Sequence, residues 1–390
     1  MIPYGRQSIS ESDIEAVIEV LRSDFLTQGP VVPAFEEAVK AYCGVEYAVA
    51  TNSATSALHL ACLALGLGPG DIVWTTPITF VASANCALYC GAKIDFIDID
   101  ALSYNMSIQA LKEKLEIAQK SGRLPKIVIP VHLSGQPCDM AEIHALGQKY
   151  GFKILEDASH AIGAKYQDGR IGNCQYSDIT VFSFHPVKII TTGEGGMALT
   201  NNLKLAARMS RLRSHGITRS PHEMTHIPDG PWYYQQIELG FNYRLTDIQA
   251  ALGLSQMQRL DEFVARRHVI AEEYNKLFKD LPVTTPWQNP SSLSSYHLYI
   301  VRLKGKKGGY DRKDVFERLR SFGIMVNLHY IPLYRQPYFE AMGFKREDFP
   351  ESEAYYREAI SLPIYPGLTE AQQVEVVSRM QNLSGFQTLF

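Results

Sequence analysis

Between residues 47 and 183 the sequence alternates short apolar runs with amphipathic stretches, and that alternation leaves few folds open. Runs at 47–51, 72–75, 93–97, 127–131 and 153–156 have strand length and are nearly continuous in apolar character. Helical spacing fills the gaps, at 53–65, 81–89, 108–119 and 140–150, and Gly66 stops the first of these. Strands this apolar must be covered on both faces. The expected fold class is therefore α/β, a mostly parallel sheet between two helical layers. In such sheets ligands sit at the carboxyl ends of the strands. The polar residues falling there are Asn52, Ser53, Thr76, Thr79, His132, Asp157, His160, Ser183 and Lys188.

The chain has 390 residues, too many for one simple core, so a large unit and a smaller one are expected. We place the first at 1–245 and the second at 246–390. Ser10 caps a first helix at 10–22, with Asp13 in a capping-box place, and a second helix is expected at 33–42. Residues 216–240 read as an irregular excursion. One long linking helix is expected from 246 to 277. Beyond it, a strand pattern at 296–303 and helices at 313–321, 351–359 and 370–380 suggest a small α+β domain.

A formal charge of -3 gives no broad basic field for nucleic acid. No apolar run has membrane-spanning length. The first residues lack the basic and apolar regions of a signal peptide, so a cytoplasmic location is expected. Cys43, Cys62, Cys86, Cys90, Cys138 and Cys174 are scattered without metal-site spacing and read as buried free thiols, so no metal is expected.

Four features carry chemistry, and each also has a plain structural reading. Lys188 follows an apolar run ending in Ser183 and His185, and precedes Gly193-Glu-Gly-Gly196. A lysine leaving the core can lose its proton and attack a carbonyl; it can equally be a surface lysine beside a glycine turn. Asp157 ends a strand, as a helix cap or as a partner for a protonated ring nitrogen. Asn52-Ser-Ala-Thr-Ser-Ala-Leu58 is an ordinary helix start or an anion site, in which Ala54 and Thr55 offer backbone N–H groups and Ser183 a hydroxyl. Phe80 packs in the core or stacks on a flat heterocycle. Together, phosphate turn, ring-stacking aromatic, ring-nitrogen carboxylate and nucleophilic lysine suit one cofactor, pyridoxal 5'-phosphate.

These stretches, with Glu156-Asp-Ala-Ser-His-Ala-Ile-Gly163, Ser183-Phe-His-Pro-Val-Lys188 and Gly240-Phe-Asn-Tyr-Arg244, resemble the DegT/DnrJ/StrS sugar aminotransferases over most of the chain. The resemblance implies the fold type I pyridoxal-phosphate architecture and a homodimer with shared sites. It implies that Lys188 bonds the cofactor and moves protons, that Asp157 pairs with the pyridine nitrogen and that Phe80 stacks on the ring. Ala54, Thr55 and Ser183 would hold the phosphate, Asn242 would reach in from the partner subunit, and His160 would lie near the phenolic oxygen.

Within the family, Arg213-Ser-His-Gly216 and Asn327-Leu-His-Tyr-Ile-Pro-Leu-Tyr334 look similar to the branch that aminates C4 of a UDP-linked 4-keto-6-deoxy-N-acetylhexosamine in pseudaminic acid biosynthesis, with L-glutamate as donor. That likeness implies substrate contacts at Tyr4, Asp24, Phe25, Leu26, Thr27, Asn327, Leu328, His329 and Tyr330. Ile331 departs from it, standing where a more polar residue is expected. Other readings are a GDP or dTDP 4-keto sugar, a dehydratase, or a non-enzymatic regulator. The dehydratase branch has histidine in place of the lysine, and a regulator would want a basic patch that this chain lacks.

Overall fold

The computed structural model describes residues 1–304 and 311–382, so residues 305–310 and 383–390 of the expected second unit lie outside it. Seven strands form the central sheet. They are β1 (Tyr47–Thr51), β2 (Ile72–Thr75), β3 (Lys93–Phe96), β4 (Ile127–Ile129), β5 (Lys153–Asp157), β6 (Ile179–Ser183) and β7 (Gly196–Thr200). Their spatial order is β1-β7-β6-β5-β4-β2-β3. All neighbours run parallel except β7, which is antiparallel to both β1 and β6. The mostly parallel sheet matches the expected fold class. The sequence reading did not resolve β7, because two glycines open the run.

Helices cover both faces. One layer holds α2 (Val31–Cys43), α5 (Ile108–Ser121) and α6 (Met140–Tyr150); the other holds α3 (Ala54–Ala64), α4 (Ala82–Tyr89) and α7 (Leu203–Leu212). Fully buried Phe35, Leu111 and Ile143 fill the first core, and Leu58, Leu60 and Ile129 the second. The first helix, α1 (Glu11–Leu21), starts with the capping box read from Ser10 and Asp13.

The expected long helix at 246–277 is two helices, α8 (Asp247–Met257) and α9 (Leu260–Leu277). The break has a tertiary cause. Gln256 Nε2 and Arg259 Nη2 both reach Asp13 Oδ2, at 2.7 and 2.6 Å, and both also donate to the Ser8 carbonyl. Holding both side chains against α1 turns the chain at Arg259, whose ψ of 8° is not helical. The helix expected at 351–359 stops at Glu358, and Ala359–Leu362 is a strand paired with Tyr299–Leu303.

The C-terminal part has its own core around Tyr274, Tyr299, Leu319 and Val376. The N-terminus joins it. Ile2–Pro3 pairs in parallel with Ile324–Met325, and the Tyr4 carbonyl accepts from Ile364 N at 3.0 Å. Tyr4 is thereby set beside the 327–330 loop, its ring 5.3 Å from that of His329. All six cysteines are buried and unpaired. Among the described residues no helix is long and apolar enough to cross a membrane, and no group of His, Cys, Asp or Glu is arranged to hold a metal.

Candidate active site

A cavity of about 890 Å³ opens at the carboxyl ends of β1, β5 and β6. Its floor comes from the sheet turns and one wall from the C-terminal part. Tyr4, Ala54, Thr55, Phe80, Asp157, His160, Ser183, Lys188, Asn327, Leu328, His329 and Tyr330 all line it.

On one side stands the start of α3. Ser53 is in extended conformation and its hydroxyl accepts from Ser56 N at 3.1 Å. The N–H groups of Ala54 and Thr55 have no acceptor within the helix, so they and the helix dipole are available to an anion. Gly196 is required here: a Cβ would lie 2.4 Å from Ala54 N. Strand β7 presses directly against the anion cradle, and only a residue without a side chain permits it.

Asp157, 5 % exposed, ends β5. Its Oδ1 accepts from Ser159 N at 3.1 Å and its Oδ2 from Ser83 Oγ at 2.6 Å. Ser83 Oγ also lies 2.7 Å from Thr79 Oγ1. A carboxylate only accepts, so Ser83 spends its proton on Asp157 and must receive one from Thr79. The chain of donation runs Thr79 to Ser83 to Asp157. Behind β5, His132 Nδ1 accepts from Cys138 N at 2.9 Å, which leaves Nε2–H to donate to Glu156 Oε2 at 2.7 Å. Burial pushes the Glu156 carboxyl up, but hydrogen bonds from His132, Ser177 and Thr180 outweigh it and hold the group below the usual carboxylate range. That network fixes the strand carrying Asp157, whose carbonyl accepts from His132 N at 3.1 Å.

Lys188 lies in the turn after β6, its N–H bonded to the His185 carbonyl at 2.9 Å. Burial lowers its ammonium from the usual 10.5 to about 8, against the opposing pull of Asp157. A much larger share of neutral, nucleophilic amine therefore exists near neutral pH than for a surface lysine.

Opposite, His160 Nδ1 accepts from Ser134 N at 3.2 Å, so the neutral ring carries its proton on Nε2. That N–H meets Tyr330 Oη at 3.2 Å. Burial, with Lys188 and His329 nearby, holds His160 well below the ordinary imidazole value. His329 is pushed down to about 3, first by burial and then by Lys188, and its Nδ1 bonds Ser361 Oγ at 2.8 Å. Phe80 is 57 % exposed, which settles against a core role. Its ring faces the cavity, 6.1 Å from that of Tyr330.

The fit to pyridoxal phosphate rests on this donor set: an anion cradle no side chain fills, a carboxylate with tied oxygens, an exposed aromatic face and a depressed lysine. Five expected residues are placed elsewhere within one chain. Asp24, Phe25, Leu26 and Thr27 are exposed outside the cavity, with Thr27 bridged to Thr246. Asn242 is exposed as well; only its backbone meets the site, the carbonyl accepting from Asn52 Nδ2 at 3.5 Å. Sequence reasoning missed Ser83 and His297. Ser83 stands four positions after Thr79 at the start of α4, a spacing that could have revealed it.

The sequence pattern of the DegT/DnrJ/EryC1/StrS aminotransferase family matches residues 7–381. A Bacillus subtilis spore coat polysaccharide biosynthesis protein, SpsC, is 37% identical over 385 residues, 98% of this chain and 97% of its own. A UDP-4-amino-4,6-dideoxy-N-acetyl-beta-L-altrosamine transaminase of Campylobacter jejuni is 38% identical over 367 residues, 94% of this chain and 93% of its own. Among solved structures, Helicobacter pylori PseC, an aminotransferase of pseudaminic acid biosynthesis, superposes with a TM-score of 0.88 at 31% identity, over 97% of each chain. Other matching structures are pyridoxal- and pyridoxamine-phosphate forms of a sugar aminotransferase.

Proposed function

Because this chain belongs to the DegT/DnrJ/EryC1/StrS aminotransferase family, we propose that it moves the amino group of L-glutamate to C4 of a UDP-linked 4-keto-6-deoxy-N-acetylhexosamine, the amination step of pseudaminic acid biosynthesis. The protein is a sugar aminotransferase and its cofactor is pyridoxal phosphate. The single observation carrying the catalytic assignment is Lys188, depressed to about 8 in a cavity it shares with Asp157. When bound, the cofactor supplies a carbonyl for the donor amine and an electron sink for the carbanion.

The chain does the rest. Ala54 and Thr55 N–H groups and the Ser183 hydroxyl hold the phosphate. Asp157, oriented by Ser83 and Ser159, pairs with the ring nitrogen, and Phe80 covers a ring face. The Lys188 amine takes the Cα proton from the donor and later gives a proton to C4 of the sugar. Tyr330 receives the His160 Nε2–H, which leaves its own hydroxyl proton for a ligand oxygen. Tyr4, Asn327 and Leu328 line the cavity and would meet the sugar nucleotide. The exposed Asp24 to Thr27 segment and Asn242 would complete a partner's site in a homodimer.

The UDP-sugar assignment leans on the likeness to the altrosamine transaminase, while the equally similar SpsC leaves room for another 4-keto sugar. A panel of UDP-, GDP- and dTDP-4-keto sugars with glutamate decides it. Preference for the UDP-N-acetylhexosulose is expected, and a GDP or dTDP preference would refute the sugar while leaving the aminotransferase.

A further inference from the structure

Within the described residues, four buried side-chain polar atoms have no hydrogen-bond partner: Ser134 Oγ, Gln136 Oε1, Arg267 Nε and His297 Nδ1. They gather along one seam. Leu298 N donates to the Ser134 carbonyl at 3.3 Å, and Gln136 Nε2 to Ser292 Oγ at 2.7 Å. Arg267 Nη1 donates to the carbonyls of Tyr296, His297 and Ile364, at 3.1, 3.3 and 3.1 Å. Of the four, only His297 lines the active cavity.

His297 is 4 % exposed and its ring centroid lies 4.4 Å from that of His160. Neither ring nitrogen bonds any described residue, although its carbonyl is held by Arg267. Its Nδ1 is sealed from solvent without a partner, while Nε2, unbonded as well but not sealed, is the nitrogen that a ligand or water in the cavity can meet. Burial, with His160, Lys188, Arg267 and His329 around it, keeps the ring neutral, and a neutral ring always has one N–H to give.

The surrounding field selects the ligand. Arg267 is 1 % exposed and pushed down by burial to about 9, hence still cationic at neutral pH. No acidic side chain among the described residues pairs with it; its acceptors there are all backbone carbonyls. Arg267 therefore sets a positive charge behind His297, in contact with its backbone carbonyl and outside the cavity lining. No arginine lines the cavity, and Lys188 is its one ammonium among the described residues. Lys188 is taken by the cofactor, and the lining acids Asp157 and Glu194 belong to the floor and to the glycine turn.

We propose that His297 donates a hydrogen bond to a carboxylate of the amino donor, with the buried Arg267 cation behind it. The proposal rests on the glutamate reading above, and the test separates the two. His297→Phe keeps the ring against His160 and removes both nitrogens, while His297→Gln restores a donor. Each is loaded with pyridoxal phosphate, and bound cofactor is counted to show an intact site. Affinity for glutamate is read from the cofactor absorbance in the first half-reaction, without sugar. Affinity for glutarate, an unreactive dicarboxylate, is read from its competition.

Loss of one hydrogen bond to a charged group predicts that His297→Phe weakens both ligands about 10- to 100-fold, with the KM for sugar nucleotide unchanged. His297→Gln should recover much of that loss. Unchanged glutamate and glutarate affinity in a cofactor-loaded His297→Phe overturns the proposal, as does a loss confined to the sugar. If both variants fail to hold cofactor, His297 serves the cofactor and the donor assignment is overturned. A wild type that ignores glutamate defeats the donor reading itself.

Discussion

Lys188 gives the most quantitative prediction. Its ammonium falls from 10.5 in the unfolded chain to about 8 in the folded one. At pH 7 that leaves about one amine in ten neutral, against about one in three thousand for an unperturbed lysine. The same difference is a stability penalty on the cofactor-free protein. Below pH 8 both states bind the proton and the penalty is complete, roughly 3 kcal/mol, less whatever water reaching the half-buried amine recovers. Between pH 8 and 10.5 the unfolded chain holds more protons than the native one. Wild-type stability therefore rises relative to a variant without the group, and the penalty vanishes above 10.5. Lys188→Met in cofactor-free protein should thus be more stable than wild type by about 2–3 kcal/mol at pH 7, and the gap should close by pH 10.5. Urea denaturation of both proteins from pH 6.5 to 10.5 measures it, with other titrating groups cancelling in the difference. A constant gap across that range, or no gap at pH 7, would refute the claim that burial depresses this lysine.

Three further predictions concern the support of the site. Ser83→Ala removes the charge-assisted bond to Asp157 Oδ2 and should weaken pyridoxal-phosphate binding about 10-fold or more by absorbance titration, with Thr79→Val acting in the same direction but less. Gly196→Ala forces a Cβ to within 2.4 Å of Ala54 N; it should cost about 1–3 kcal/mol by thermal or urea denaturation and impair binding of inorganic phosphate at the cradle. Mixed dimers of Lys188→Ala and Asn242→Ala should regain part of the activity both homodimers lose, if Asn242 acts across the interface; absence of rescue counts against a shared site.

Where strand and helix alternate, each element's apolar period is local and readable, so the α/β class and most boundaries follow from sequence. The features that escaped were set by distant contacts. The break between α8 and α9 depends on Asp13, more than 240 positions away in the bonds of Gln256 and Arg259. Helical periodicity carries no trace of it. Strand β7 hides behind Gly195 and Gly196, yet the glycine that disguises the strand is what lets it touch the anion cradle. Tyr4 joined the site only because Ile2–Pro3 pairs with Ile324–Met325, near the other end of the chain.

The same division runs through the site. Ala54, Asp157, Ser183 and Lys188 lie where strands end or helices open, so type and spacing mark them as candidates. His297 lies outside any such turn, and nothing in its neighbours marks it. Its interest comes from what folding withholds: a buried Nδ1 without a partner and, behind it, a buried cation whose acceptors among the described residues are all carbonyls. Each unpaired group costs free energy, and of the four residues that carry one only His297 lines the cavity, where a ligand can offset it. Motif reading therefore finds the residues that grip a cofactor common to the whole family. The wall proposed to meet the amino donor is found instead by asking which buried polar groups the folded chain leaves unanswered.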